Sequence, residues 1–158
     1  MRVSVLAVGR PARLFGQVIA EYERRAGRYW TVDVVNVRAE SAAGGKPEAM
    51  VRAAEGARLL GRVPPGAEIV ALTRTGRGWS SRALAEYLDG LAVSGSPGVA
   101  FLIGGAFGLG SDVLERARHL LSLSSFTLPH DLARLVLLEQ LYRAGTILRR
   151  EPYHKAVE

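Results

Sequence analysis

Short apolar runs alternate along this chain with longer segments of helical period, and that alternation excludes most architectures. "RVSVLAV" (Arg2–Val8) reads as a buried strand, "WTVDVVNV" (30–37) as strand-like and rich in β-branched residues, residues 68–72 as a short strand and "VAFLI" (99–103) as another. Between them, apolar positions recur at helical spacing. Leu14, Phe15, Val18, Ile19 and Tyr22 fall on one face of a first helix. Leu84, Tyr87, Leu88 and Leu91 share a face of a later helix that opens with a serine cap. Further helices are expected over about residues 47–60, from a Ser111 cap through "DVLERARHLL", and over about 131–150. "TRTGRGW" reads as a polar turn and "SLSSFTL" as a short strand-like piece. Strand followed by helix, repeated, buries both strand faces when the strands lie side by side with helices on each face. The expected fold class is therefore α/β: a mostly parallel sheet flanked by helices. Neither a repeat nor a linker interrupts it, so residues 1–158 are expected to form a single domain.

The last helix departs from this frame. Leu132, Leu135, Val136, Leu138, Leu141, Tyr142, Ile147 and Leu148 spread beyond the single stripe that one sheet face can cover. A second copy of the chain is the economical partner, so a homodimer is expected. The absence of cysteine excludes disulfides, thiol nucleophiles and thiolate metal sites. No apolar run is long enough to span a bilayer, and "MRVSVLAVGR" lacks the anatomy of a signal peptide. A cytoplasmic protein with no membrane partner is expected. The formal net charge of +6 points to a polyanion such as nucleic acid. Only Lys46 and Lys155 among the basic residues are lysines, so any phosphate contacts fall mainly to arginine.

Ligands of open α/β sheets collect at the carboxyl ends of the strands. The first such loop, "VGRPAR", holds one glycine and a proline and makes a poor phosphate cradle. The glycines of "FLIGGAFGLG" stand at 104, 105, 108 and 110, so neither a dinucleotide fingerprint nor a P-loop can be drawn through them. The unusual loops come late: "LTRTG", "IGGAFG" and "SLSSFTLPH". Converging at one sheet edge, they would line a pocket largely with main chain. Such a lining suits an adenosine moiety, and equally a flavin or a simple nucleotide. A non-enzymatic binding factor would keep the basic surface and need no pocket.

Taken in order, "VSVLAVGR", "AEYERRAG", "SSRALAEYL", "FLIGGAFGLG", "LSLSSFTLPH", "ARLVLLEQLYRA" and "PYHK" resemble the RlmH family nearly end to end. These are small SPOUT-class methyltransferases that modify a pseudouridine of large-subunit (23S) ribosomal RNA. The resemblance implies an α/β knot, in which the C-terminal segment threads a loop as a deep trefoil. It implies a homodimer, S-adenosyl-L-methionine as cofactor, no metal, and methyl transfer to N3 of pseudouridine on the assembled ribosome. It carries cofactor contacts onto Leu72, Gly104, Leu123, Ser124, Ser125, Phe126, Thr127 and Leu128. The glycines would then lie against the cofactor, where a Cβ would collide with it. Tyr153 and His154 of "PYHK" are the side chains expected to meet the acceptor. His119 is expected to be structural, and His130 to support the site or shape a turn. Where relatives often carry an acid, this chain has Thr73, followed by Arg74. Arg134 and Arg143 are nine positions apart on one helix and face different directions, so at least one is expected to hold Glu139 or the partner chain rather than RNA. Arg10, Arg13, Arg149, Arg150 and Lys155 are the candidates for holding phosphate.

Overall fold

The computed structural model describes residues 1–154, with the His154 side chain outside the description. Strands β1 (Arg2–Val8), β2 (Thr31–Val37), β3 (Glu68–Gly78), β4 (Gly98–Ile103) and β5 (His119–Ser122) form one sheet in the order β2-β1-β4-β3-β5. Every pairing is parallel, which sharpens the expected "mostly parallel" to wholly parallel. Helices α1 (Arg13–Ala26), α2 (Glu48–Leu60), α3 (Ser81–Val93), α4 (Ser111–Arg116) and α5 (His130–Leu148) supply the crossovers and cover the faces.

The period-2 geometry of the strands divides the core in two. Val3, Val5 and Ala7 of β1, with Val99, Phe101 and Ile103 of β4, pack with Ile19 of α1, Leu88 of α3 and Leu138 of α5. Leu6 and Val8, with Ala100 and Leu102, pack with Leu59 of α2 and Val113 of α4 on the other side. Both faces of β1 and β4 are covered, which is why these strands read as unbroken apolar runs.

Ser80 caps α3 as expected, its Oγ accepting from the Ala83 N–H at 3.1 Å. Ser111 does not cap α4; Gly110 holds that position with no side-chain bond. Two further expectations are corrected near the sheet edge. The helix expected through "DVLERARHLL" ends at Arg116, and residues 119–122 form edge strand β5 instead. The edge of β3 offers unpaired backbone groups. Arg118 N–H donates to the Ile69 carbonyl at 2.8 Å, and His119, Leu120 and Leu121 pair with Val70, Ala71 and Leu72. The tertiary ladder thus overrides local helical period. In turn, "SLSSFTL" contributes only Ser122 to the strand. "TRTGRGW" is not a free turn: β3 runs through it to Gly78, with a register shift between Leu72 and Arg77. A Cβ on Gly76 would lie 2.6 Å from the Leu120 carbonyl, so this stretch passes flush against β5.

Helix α5 packs against α1 and α3 and buries Leu137, Leu138, Leu141 and Ala144. Leu132, Leu135, Val136, Tyr142 and Ile147 remain half-buried and Leu148 is exposed. On α1, Ile19 is buried but Leu14 is 85% exposed. One copy of the chain leaves much of these two apolar faces uncovered.

Candidate functional site

The three late loops meet at the carboxyl ends of β3, β4 and β5. They enclose a cleft of about 160 Å³. Leu72, Thr73 and Arg74 come from β3, and Ile103, Gly104, Gly105 and Gly108 from the end of β4 and its loop. Leu121 and Ser122 come from β5, Leu123, Ser124, Phe126, Thr127 and Leu128 from the loop after it, and His130 and Ala133 from the first turn of α5. Of the residues assigned to cofactor by resemblance, Ser125 stands outside this lining and is exposed.

The glycine loop holds its shape through its own backbone. Gly108 N–H donates to the Gly105 carbonyl at 3.1 Å, and Gly108 takes φ +78°. A Cβ on Gly104 would lie 2.5 Å from the Gly108 carbonyl carbon. A Cβ on Gly105 would lie 2.9 Å from Glu55 Oε2 and 3.0 Å from Val8 Cγ1. Within the chain itself, what these glycines avoid is the 104–108 turn and the Glu55 carboxylate behind it. The next loop is built by hydroxyls. Ser122 Oγ donates to the Ser124 carbonyl at 2.9 Å, and Ser124 Oγ accepts from the Phe126 N–H at 2.9 Å. Phe126 is left 81% exposed at the rim.

Arg74 brings a guanidinium and His130 an imidazole to this lining, and among the described residues no carboxylate belongs to it. Arg74 Nη1 donates across the cleft to Thr127 Oγ1 at 3.2 Å. His130 Nε2 lies 3.6 Å from Asp131 Oδ1. Behind the cleft, α5 is tied to the first loop of the chain. Ala12 N–H donates to Asp131 Oδ2 at 2.9 Å. Arg134, 1% exposed, donates from Nη1 to Asn36 Oδ1 at 2.7 Å and from Nη2 to the Gly9 carbonyl at 2.9 Å. Burial lowers its pKa, opposed by the charges of Asp131 and Glu23. Arg134 thus holds neither RNA nor Glu139; it anchors α5 to the ends of β1 and β2. Arg143 does hold Glu139, at 2.6 Å, as one of the two arginines was expected to. Sequence reasoning missed Arg134 as an anchor because its acceptors lie about a hundred positions away. It placed Arg74 in a loop lining the pocket without assigning it a contact.

Residues 150–153 lie elsewhere. Arg150 adopts φ 56°, and the Arg150 and Glu151 N–H groups donate to the Ile147 and Thr146 carbonyls at 3.0 and 2.9 Å. This helix-ending motif turns the chain back along α5. Glu151 accepts a hydrogen bond from the Tyr29 hydroxyl. The Tyr153 hydroxyl donates to Glu139 Oε1 at 3.1 Å, and its ring lies against Tyr142 and under the Arg143 guanidinium. Burial, with contacts to Tyr22 and Glu139, pushes its pKa up, so this hydroxyl is a neutral donor and not a base. Tyr153 is absent from the cleft lining. Ala133 is six residues before Glu139, about 9 Å along the helix axis. The structure therefore does not bring Tyr153 and the cleft of its own chain together. The His154 side chain and Lys155 lie outside the described residues. His119 is structural, packed edge-on against Trp79 and Tyr87.

Comparison with known proteins bears on this geometry. A family model described as "Predicted SPOUT methyltransferase" matches residues 1–154. A relative from Gemmatimonas aurantiaca is 46% identical over 156 residues, covering 98% of this chain and 100% of the relative. One from Pelotomaculum thermopropionicum is 47% identical over 159 residues, covering 96% and 98%. One from Bacillus cytotoxicus is 42% identical over 159 residues, covering 98% and 100%. All three bear the name "Ribosomal RNA large subunit methyltransferase H". Among solved structures, "Probable Methyltransferase from Bordetella pertussis Tohama I" is similar in fold, with a TM-score of 0.57 and 18% identity. The match covers 91% of this chain and 94% of that one.

Proposed function

Since this chain belongs to the SPOUT methyltransferase family, we propose that it binds S-adenosylmethionine in the cleft and methylates N3 of a pseudouridine in large-subunit ribosomal RNA. The observation that carries this reading is the convergence of the three late loops on one cleft at the sheet's carboxyl edge. The cleft's chemistry fits an adenosyl group. Leu72, Ile103, Leu121 and Leu123 offer apolar walls for a base, while the peptide groups of Gly104, Gly105 and Gly108 can read its edge. Ser122, Ser124 and Thr127 add hydroxyls suited to a ribose. Leu128 and the exposed Phe126 complete the outer wall. Among the described residues no cluster suits a metal ion.

When bound, the cofactor supplies a sulfonium-activated methyl group, so the protein needs no nucleophile of its own. What the chain contributes is position. The 104–108 turn and the 123–128 loop fix the cleft, and the Asp131–Arg134 anchor fixes the helix start that closes it. Tyr153 and His154 are the proposed contacts to the acceptor nucleotide; the Tyr153 hydroxyl gives its one proton to Glu139 and would offer its oxygen as an acceptor. Because Tyr153 lies away from its own cleft, a second copy supplies the natural completion. The uncovered faces of α1 and α5 are its proposed docking surface, and each tail would serve the partner's cleft. The same reading makes the segment after β5 the threaded part of a trefoil knot. Arg10, Arg13, Arg149 and Arg150 are exposed and are the proposed phosphate contacts. No described helix is long and apolar enough to cross a membrane, and methylation of ribosomal RNA would be a cytoplasmic activity.

The test is mass spectrometry of ribosomal RNA from cells lacking this protein, paired with calorimetry of the purified chain. One methyl should vanish from a pseudouridine and return with the wild-type gene, and S-adenosylmethionine should bind saturably. Unchanged RNA methylation overturns the reading. A ribosome-binding protein with no saturable cofactor binding would be a non-enzymatic factor instead.

A further inference from the structure

Arg74 sits where β3 leaves its regular ladder: the pairing with β5 shifts register between Leu72 and Arg77. Its side chain lines the cleft and spans it to Thr127 Oγ1 at 3.2 Å. That bond occupies one of the five N–H donors of the guanidinium. Among the described residues no carboxylate pairs with Arg74, and no acidic residue lines the cleft. The preceding position, where an acid would neutralise it, is Thr73. A permanent, exposed and unneutralised guanidinium at the edge of a ligand cleft is a carboxylate receptor by geometry, because its planar fork donates to both carboxylate oxygens. S-adenosylmethionine carries a single carboxylate, on its methionine end, and its other two charges are cationic.

On the reading of the cleft given above, we propose that Arg74 binds the carboxylate of the cofactor's methionine moiety and so selects ligands that carry an amino-acid end. Loss of the methyl group removes the sulfonium charge and leaves the carboxylate, so the demethylated product is held by the same contact.

Calorimetry on the wild type, Arg74→Met and Arg74→Lys with three ligands tests this. S-adenosylmethionine and S-adenosylhomocysteine carry the carboxylate; 5′-methylthioadenosine lacks the amino-acid end. Arg74→Met should weaken the first two about fivefold, the scale of one solvent-exposed ion pair, and leave the third within about twofold. Arg74→Lys should recover part of the loss, since it keeps the charge and not the fork. Equal loss for all three ligands would overturn the proposal and make Arg74 a strut that shapes the loop through Thr127. No loss for the carboxylate ligands would overturn it too; weaker RNA binding in that case would assign Arg74 to phosphate. If the wild type binds none of the three, the cofactor reading itself falls, and the role of Arg74 falls with it.

Discussion

Replacing Gly104 with alanine places a Cβ 2.5 Å from the Gly108 carbonyl carbon, 2.6 Å from its oxygen and 2.9 Å from Leu109 N. All three atoms are backbone, so no flexible side chain can swing away and the turn itself must move. Overpacking of this kind costs about 1–3 kcal/mol, and a backbone clash belongs in the upper half of that range. Taking about 2 kcal/mol, a chain of this size should melt about 4–8 °C lower. Gly108→Ala is the matched control. A Cβ there meets no protein atom within 4 Å, but the residue holds φ +78°. Its cost is the left-handed backbone alone, about 1 kcal/mol. Both glycines line the cleft, so moving the turn should also weaken S-adenosylmethionine, by about tenfold or more for Gly104→Ala. Thermal unfolding and calorimetry well below the melting temperature read the two effects separately. Gly104→Ala with wild-type stability and lost cofactor affinity would show that the collision is with the ligand, and the account of the turn would be wrong. Gly104→Ala less damaging than Gly108→Ala would refute the steric argument altogether.

Arg150 ends α5 with φ 56°, a conformation that glycine adopts without strain, so Arg150→Gly should raise the unfolding free energy by about 1 kcal/mol in chemical denaturation. A loss of stability would mean that the side chain does more for the tail than its backbone costs. Hydrogen bonds from Lys46 and Arg58 hold the Glu40 pKa down at about 2. A carboxylate depressed on folding stabilises above its unfolded value, and that contribution is lost as pH falls toward about 2. Wild type should therefore lose more melting temperature than Glu40→Gln between about pH 5 and pH 2, while superposed profiles would contradict the pairing. Mixing a chain truncated after Arg150 with a Thr127→Trp chain, whose cleft is filled from an exposed position, should restore methyl transfer in the exchanged heterodimer. Activity that stays at parental levels despite proven subunit exchange would place each tail on its own cleft.

The alternation of apolar runs and amphipathic segments was enough to specify a mostly parallel sheet flanked by helices. β1 and β4 are covered on both faces, and continuous burial leaves a continuous apolar signature. Local chemistry was legible for the same reason: the Ser80 cap and the Glu139–Arg143 pair connect positions within one helical turn. The position of the candidate site followed too, since loops at the carboxyl ends of parallel strands must share one edge. Residues 119–122 were different. Their pattern extends a helix, and only the exposed hydrogen-bonding edge of β3 made them a strand. Gly104 and Gly105 announced a close approach without naming what approaches, because the Gly108 backbone and Glu55 are set against them by folding. For Arg134 the candidates were Glu139, the partner chain and RNA; burial against Gly9 and Asn36 made it an anchor instead. Local pattern records which surface a residue buries. The identity of the atoms it is buried against belongs to the tertiary structure, because distant segments supply them.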